Sequence, residues 1–135
     1  MASSNQRLKK LLWKYFSIYI RKRDADKDGF VNCVSCGKRM HWKESSAGHY
    51  YPKTTLSMYF EEKNVHNQCN GCNLFRRGNL QPYALYLIKR YGEEILKELE
   101  WKRRQLIQIH DNEYEKFILL YKNKIKSLDG KETKM

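Results

Sequence analysis

Long apolar runs are missing from this sequence: its hydrophobic stretches are short and broken by Lys and Arg, and none is long enough to span a bilayer. The segment MASSNQRLKKLLWKYF, with no continuous apolar core followed by a small-residue cleavage site, does not read as a secretory signal. Acidic residues are scarce relative to basic ones. With 15 Asp+Glu against 27 Lys+Arg, the formal net charge is +12. These absences argue against a membrane-spanning or exported protein. They point to a soluble intracellular chain whose partner carries phosphates, with nucleic acid first and an anionic membrane surface as the competing reading.

The 135 residues suit one compact domain with appended helices. Charged residues make up 31% of the chain, but aromatics at 13% mark it as folded. Leu8, Leu11, Leu12, Tyr15, Tyr19 and Ile20 recur at i, i+3, i+4 spacing behind Ser3 or Ser4 as a cap, which predicts an amphipathic helix. A polar turn to Gly29 leads into Phe30 and Val31, where a short strand begins. Two short strands and a loop are expected between Cys36 and Cys69. A helix with Pro82 in its first turn should stop at Gly92. The periodic apolar residues from Ile95 through Leu106 and Ile109 to Ile125 predict one long or two consecutive helices, with a frayed KETKM end. The expected segments are 1–29, 30–92 and 93–135, a helix and turn, a core and a helical extension. The fold class is α+β.

The four cysteines fall as two CxxC pairs, Cys33-Val-Ser-Cys36 and Cys69-Asn-Gly-Cys72. A CxxC turn presents two thiolates from one tight loop, and two such turns complete a tetrahedral zinc site. Two disulfides are the competing reading, disfavoured by the doubled spacing and the lack of an export signal. Four protein ligands leave no open position on the ion, so this zinc is structural and any chemistry lies elsewhere.

Between and beside the pairs stand Ala47-Gly-His49-Tyr, Lys63-Asn64-Val-His66 and Gln68-Cys-Asn-Gly-Cys-Asn73. Their order resembles the HNH endonucleases, whose ββα-metal fold carries a His on the first strand, an Asn on the connecting loop and a metal-binding His or Asn at the start of the helix. The resemblance covers about residues 30 to 80. It implies that His49 is the general base toward a water attacking phosphorus, a task suited to an imidazole. It implies that Asn64 orients His49 or pins the loop, and that Asn73, with His49 as a further candidate, ligates a catalytic Mg2+ or Mn2+. The sequence departs from the family at Gly48, where many members carry an Asp or His ligand. His49 itself, a carboxylate such as Glu61, Glu62 or Glu44, or water would then fill the vacancy. His66 is expected to make a structural hydrogen bond and His41 to sit on a strand beside Trp42. Asp24-x-Asp26-x-Asp28-Gly29 imitates an EF-hand start, but its twelfth position is Ser35, between two zinc ligands, so calcium is discounted.

A closer resemblance rests on RDAD before the first cysteine, CxSCG, AGHY, the KNVHxQCxxCNxxxxGN run and PYxxxLIxRYG. Together these resemble the phage NinG (Rap) recombination proteins from about Tyr19 to Gly92, and more loosely beyond. This implies a phage or prophage endonuclease acting in the bacterial cytoplasm on branched DNA such as Holliday junctions or D-loops, with recombination proteins of the host as partners. Lys53, Lys63, Arg76 and Arg77 are expected to contact phosphates. The terminal helices, which include Lys102-Arg103-Arg104, have three roles open to them: binding DNA, forming a homodimer that would match two cuts in a symmetric junction, or packing over the core. The alternative function is a noncatalytic zinc-finger DNA-binding accessory protein, and Gly48 is its best support.

Overall fold

The computed structural model describes residues 2–133; the last two residues of the expected frayed end lie outside the described residues. The first helix, α1 (Ser4–Arg23), starts where Ser3 caps it: the Ser3 hydroxyl accepts from the Gln6 N–H while the Gln6 side chain accepts from the Ser3 N–H. Lys and Arg alternate with its apolar stripe, and Leu12, Phe16 and Ile20 are the residues it buries. Arg21, Lys22 and Arg23 fill its last turn, where cations oppose the helix dipole favourably.

Two small antiparallel sheets follow. β1 (Phe30–Asn32) pairs with β2 (Arg39–His41), and β3 (Ser46–His49) pairs with β4 (Val65–Gln68) in a register that sets Gly48 opposite His66 and His49 opposite Val65. The Cys36-to-Cys69 segment therefore holds three strands rather than two. The extra one, β2, closes a hairpin over the first cysteine turn, with the Cys33 N–H donating to the Lys38 carbonyl at 2.8 Å. The β3–β4 connection carries the four-residue helix α2 (Leu56–Tyr59).

After β4 the chain winds through a π-type turn, Gly71–Phe75, in which the Arg76 N–H reaches five residues back to the Gly71 carbonyl at 2.9 Å. An α-helix at this point would complete a ββα unit. Instead Arg77, Gly78 and Asn79 all adopt positive φ, and α3 (Leu80–Tyr91) begins only after them. α3 ends at Gly92, whose φ of 101° suits glycine at a helix stop. Two consecutive helices then close the chain, α4 (Ile95–Arg103) and α5 (Asp111–Thr133). The break between them leaves Leu106 98% exposed, against the expectation that it continues a helical stripe. The start of α1 claims this segment: Asn5 donates to the Ile109 carbonyl at 3.1 Å, and Ser4 and Asn5 both bind the Asp111 carboxylate.

α5 lies beside α1 and runs parallel to it, from the Ser4–Asp111 contact to the Lys22–Asp129 ion pair. Phe16 and Tyr121 meet edge to face, with centroids 5.1 Å apart. Leu12, Phe16 and Ile20 of α1, Val65 of β4, and Tyr114, Ile118 and Tyr121 of α5 make one apolar cluster. A second joins Met58, Tyr83 and Leu87 to Ile95 and Leu99 of α4, so the 92/93 boundary runs through a shared core. β4 sits centrally, with all four of its residues buried.

Candidate functional site

The four cysteine sulfurs lie within 4.8 Å of one another, and Cys36 Sγ is 3.7 Å from Cys69 Sγ. A disulfide needs about 2.05 Å between sulfurs, whereas a tetrahedral zinc at about 2.3 Å from each sulfur sets them about 3.8 Å apart. The spacing fits a metal such as zinc and excludes the disulfide reading. Each CxxC turn also aims a backbone N–H at its first sulfur: Cys36 N to Cys33 Sγ and Cys72 N to Cys69 Sγ, both 3.5 Å. Asn79 Nδ2, at 3.3 Å, and the Arg76 guanidinium, at 3.7 Å, donate to Cys72 Sγ, so Arg76 places positive charge beside the four-cysteine cluster. Arg76, expected on phosphate, is thus turned toward the cysteine cluster.

A cleft of about 550 Å³ opens beside this centre. His49, Lys53, Asn73 and Arg77 line it together, joined by Trp13, Ser17 and Arg21 of α1. Four of the expected site residues therefore converge, although they come from a strand, a loop, a π-type turn and the bend that follows it. Two others do not. Lys63 pairs with Glu98 at 3.4 Å and lies over the Tyr91 ring. Asn64 is wholly buried: its Oδ1 accepts from the Tyr51 N–H at 2.9 Å and its Nδ2 donates to the Tyr51 and Met58 carbonyls. These bonds tie the β3–β4 connection together.

His49 is held on three sides. Its ring stacks on Trp13 with centroids 5.2 Å apart and meets Tyr59 edge to face. Its Nε2 lies 3.0 Å from the Tyr59 carbonyl. A carbonyl only accepts, so Nε2 carries the proton of the neutral ring and the lone pair is at Nδ1. Burial lowers the His49 pKa, with Lys53 acting in the same direction and the Tyr59 carbonyl opposing it. The imidazole is thereby kept neutral and able to accept a proton.

Gly48 has a steric explanation. A Cβ built there would lie 1.9 Å from Oε1 of Gln68 on the paired strand. Gln68 is itself fully buried, its Nε2 donating to Ser35 Oγ at 2.9 Å and to the Gly78 carbonyl at 2.6 Å. No larger residue fits while Gln68 occupies that space. None of the three candidate carboxylates takes its place: Glu61 pairs with Lys102, Glu62 with Lys124 and the Tyr121 hydroxyl, and Glu44 lines a different hollow with Lys43 and Asn70. Among the described residues lining the cleft there is no carboxylate. Its neutral donors, the Asn73 amide, the His49 imidazole and the hydroxyls of Ser17, Ser45 and Ser46, do not make a resident site for Mg2+ or Mn2+, hard cations that are ordinarily held by at least one carboxylate.

The remaining candidates are structural. His66 is buried between two phenols, Nδ1 at 3.1 Å from the Tyr83 hydroxyl and Nε2 at 2.8 Å from that of Tyr91. The Tyr83 hydroxyl donates to the Gly48 carbonyl at 2.8 Å, which ties α3 to the strand carrying His49. His41 sits on β2 with its ring beside Trp42. Asp26 closes a turn by accepting from the Asp28 and Phe30 N–H groups, and Asp24 binds Arg90 through both carboxylate oxygens. Lys102 is engaged by Glu61 and Glu98, and Arg103 and Arg104 by Glu100, so that basic run is neutralised within the fold.

Sequence reasoning missed the contribution of α1. Trp13, Ser17 and Arg21 recur every four residues on one helical face, a pattern legible in the sequence but eclipsed by the apolar stripe beside it. It also missed the Tyr59 carbonyl, because a backbone acceptor ten residues from His49 leaves no trace in residue identity.

No helix among the described residues is long and apolar enough to cross a membrane. No solved structure matches the chain. Curated relatives do: the ninG proteins of Escherichia phages 933W and lambda are each 41% identical over 85 residues, and that of Salmonella phage P22 is 40% identical over 85 residues. These matches cover 61% of this chain but only 38 to 39% of each relative's length. The family described as Bacteriophage Lambda NinG protein matches residues 2–132, and the chain belongs to that family.

Proposed function

We propose that this protein is a DNA endonuclease of the HNH type, stapled by a structural zinc, that hydrolyses phosphodiester bonds with His49 as the general base. The observation that carries the reading is the convergence of an oriented, neutral imidazole with Arg21, Lys53, Arg77 and Asn73 in one cleft. An incoming water would lose its proton to Nδ1 as its oxygen bonds to phosphorus and the bond to the leaving oxygen breaks. The three cations would hold the phosphate and offset the charge it gains. With no carboxylate in the cleft, any divalent cation would have to be brought by the DNA phosphates, with Asn73 as a protein donor. Branched recombination intermediates are the proposed substrate, on the strength of the resemblance to recombination endonucleases.

The absence of a carboxylate favours one second reading, a zinc-bearing accessory protein that binds DNA without cutting. Incubation of the zinc-loaded protein with linear, D-loop and four-way-junction DNA, with and without Mg2+ or Mn2+, separates the two. Cleavage that disappears in His49→Ala while binding persists supports the nuclease. Binding without cleavage under every condition establishes the accessory role instead.

A further inference from the structure

Phe75 is 85% exposed and Leu74 is 64% exposed, side by side on the π-type turn that follows the second cysteine pair. Such a turn is an unusual mount for bare apolar side chains, because it is rigid. Its backbone is tied back at three points: Asn73 N–H to the Cys69 carbonyl, Arg76 N–H to the Gly71 carbonyl and Gly78 N–H to the Cys72 carbonyl, at 2.8 to 2.9 Å. Its start is anchored by the four-cysteine cluster. Leu74 lines the His49 cleft, and Arg77, two residues past Phe75, lines it as well. An aromatic ring held rigidly in water beside a cationic cleft has a partner whose charge and shape are both indicated: a nucleobase attached to the phosphates that the cleft attracts.

We propose that Phe75, backed by Leu74, is a wedge that stacks on an unpaired or unstacked base next to the phosphate held in the cleft, and so selects branched over continuous duplex DNA. In an intact duplex both faces of every base are covered, and insertion must first unstack a step at a cost of a few kcal/mol. At a branch point that cost is already met, and stacking of a base on an aromatic side chain contributes about 1–3 kcal/mol. The wedge thus adds affinity only where the DNA is open. This inference rests on the DNA-binding part of the proposed function and is independent of catalysis.

The test measures binding, without added divalent cation so that no strand is cut, of the zinc-loaded protein to a linear duplex and to a four-way junction carrying 2-aminopurine at the branch. The wild-type chain should change the 2-aminopurine fluorescence on binding the junction. Phe75→Ala should lose that change and bind the junction about ten-fold more weakly, with linear-duplex affinity unaltered. Phe75→Trp should retain both signals, and because the side chain is exposed neither substitution disturbs the core. Equal junction affinity and fluorescence for Phe75→Ala and wild type overturns the wedge and leaves the nuclease reading standing. Failure of the wild-type chain to bind any DNA overturns both. Sedimentation of all three proteins covers a different occupant: a self-associating wild type that becomes monomeric in Phe75→Ala assigns the ring to a second copy of the chain and refutes the wedge.

Discussion

The imidazole of His49 is fixed by the backbone of Tyr59: Nε2 stands 3.0 Å from its carbonyl oxygen. That single contact selects the tautomer, because the carbonyl has no proton to give. It also turns Nδ1 into the ring's only available lone pair. One lone pair cannot both accept a proton and bind a cation, so the base role leaves Asn73 as the protein donor toward any cation.

The pH profile of cleavage tests this arrangement. Burial holds the His49 pKa below its usual value, so the base stays unprotonated into mildly acidic solution. The acid limb of the rate profile should lie below the ordinary imidazole range, near 6.5. His49→Ala should lower the rate by at least about 10²-fold with DNA affinity intact. An acid limb above pH 7 would contradict the geometry.

Gly48 and Gln68 should behave as a coupled pair. Gly48→Ala forces its methyl into the Gln68 side chain and should cost about 1–3 kcal/mol of stability, the usual range for overpacking. In a Gln68→Ala background the same substitution should cost markedly less. Chemical denaturation of the four proteins in a double-mutant cycle reads the difference, and additive effects would show that the two side chains do not compete for this space.

The two adjacent arginines should separate by phenotype. Arg77 lines the cleft, so Arg77→Ala should lower the slope of log affinity against log salt by about 1. Arg76 faces Cys72 Sγ, so Arg76→Ala should leave the slope nearly unchanged but release zinc faster to a chromogenic chelator. An identical salt response from both variants would mean that Arg76 also reaches phosphate.

Metal content is directly measurable. The purified chain should hold about one equivalent of zinc, and cobalt in its place should give the thiolate-to-metal absorption of a tetrahedral four-sulfur site. Cys69→Ser should lose the ion and, with it, the order of the hairpin and π-type turn. Full retention of metal in that variant would disqualify the cluster as the site.

Acid stability should report on His66. Its pKa is pushed from 6.5 to about 2 by burial, with Arg23 and Arg90 adding to the effect. The unfolded chain takes up a proton near pH 6.5 while the folded chain does not, so stability is complete above that value. It should fall by about 1.4 kcal/mol per pH unit as acid is added. His66→Gln should lower stability at pH 7 but flatten the slope between pH 7 and 5. Comparing the two slopes removes the contribution of thiolate protonation, which both proteins share.

Much was legible because local chemistry carries it. Ser3 or Ser4 could be read as the α1 cap, Gly92 as the end of α3, and the doubled CxxC as a metal site, since each depends on a few neighbouring residues. Lys63 and Arg76 were misplaced for the opposite reason. A cation's position along the chain places it near a motif, but only its packed neighbours, Glu98 and Cys72, decide where it points.

β4 shows where the division falls. Val-His-Asn-Gln reads as a polar stretch, yet all four residues are buried. The polar side chains tolerate this because each finds partners from distant segments: His66 with Tyr83 and Tyr91, Asn67 with Ser45 and the Arg21 carbonyl, and Gln68, whose Oε1 alone has no partner, through its Nε2 with Ser35 and the Gly78 carbonyl. Burial of a polar group costs little once its hydrogen bonds are replaced, and no local pattern announces such replacements. The sequence alone determined the four-cysteine site, the strong positive charge and the order of the site residues. The tertiary structure decided that α1 walls the cleft, that Gly48 makes room for Gln68 and that no carboxylate enters, because each depends on which remote side chains compete for the same volume.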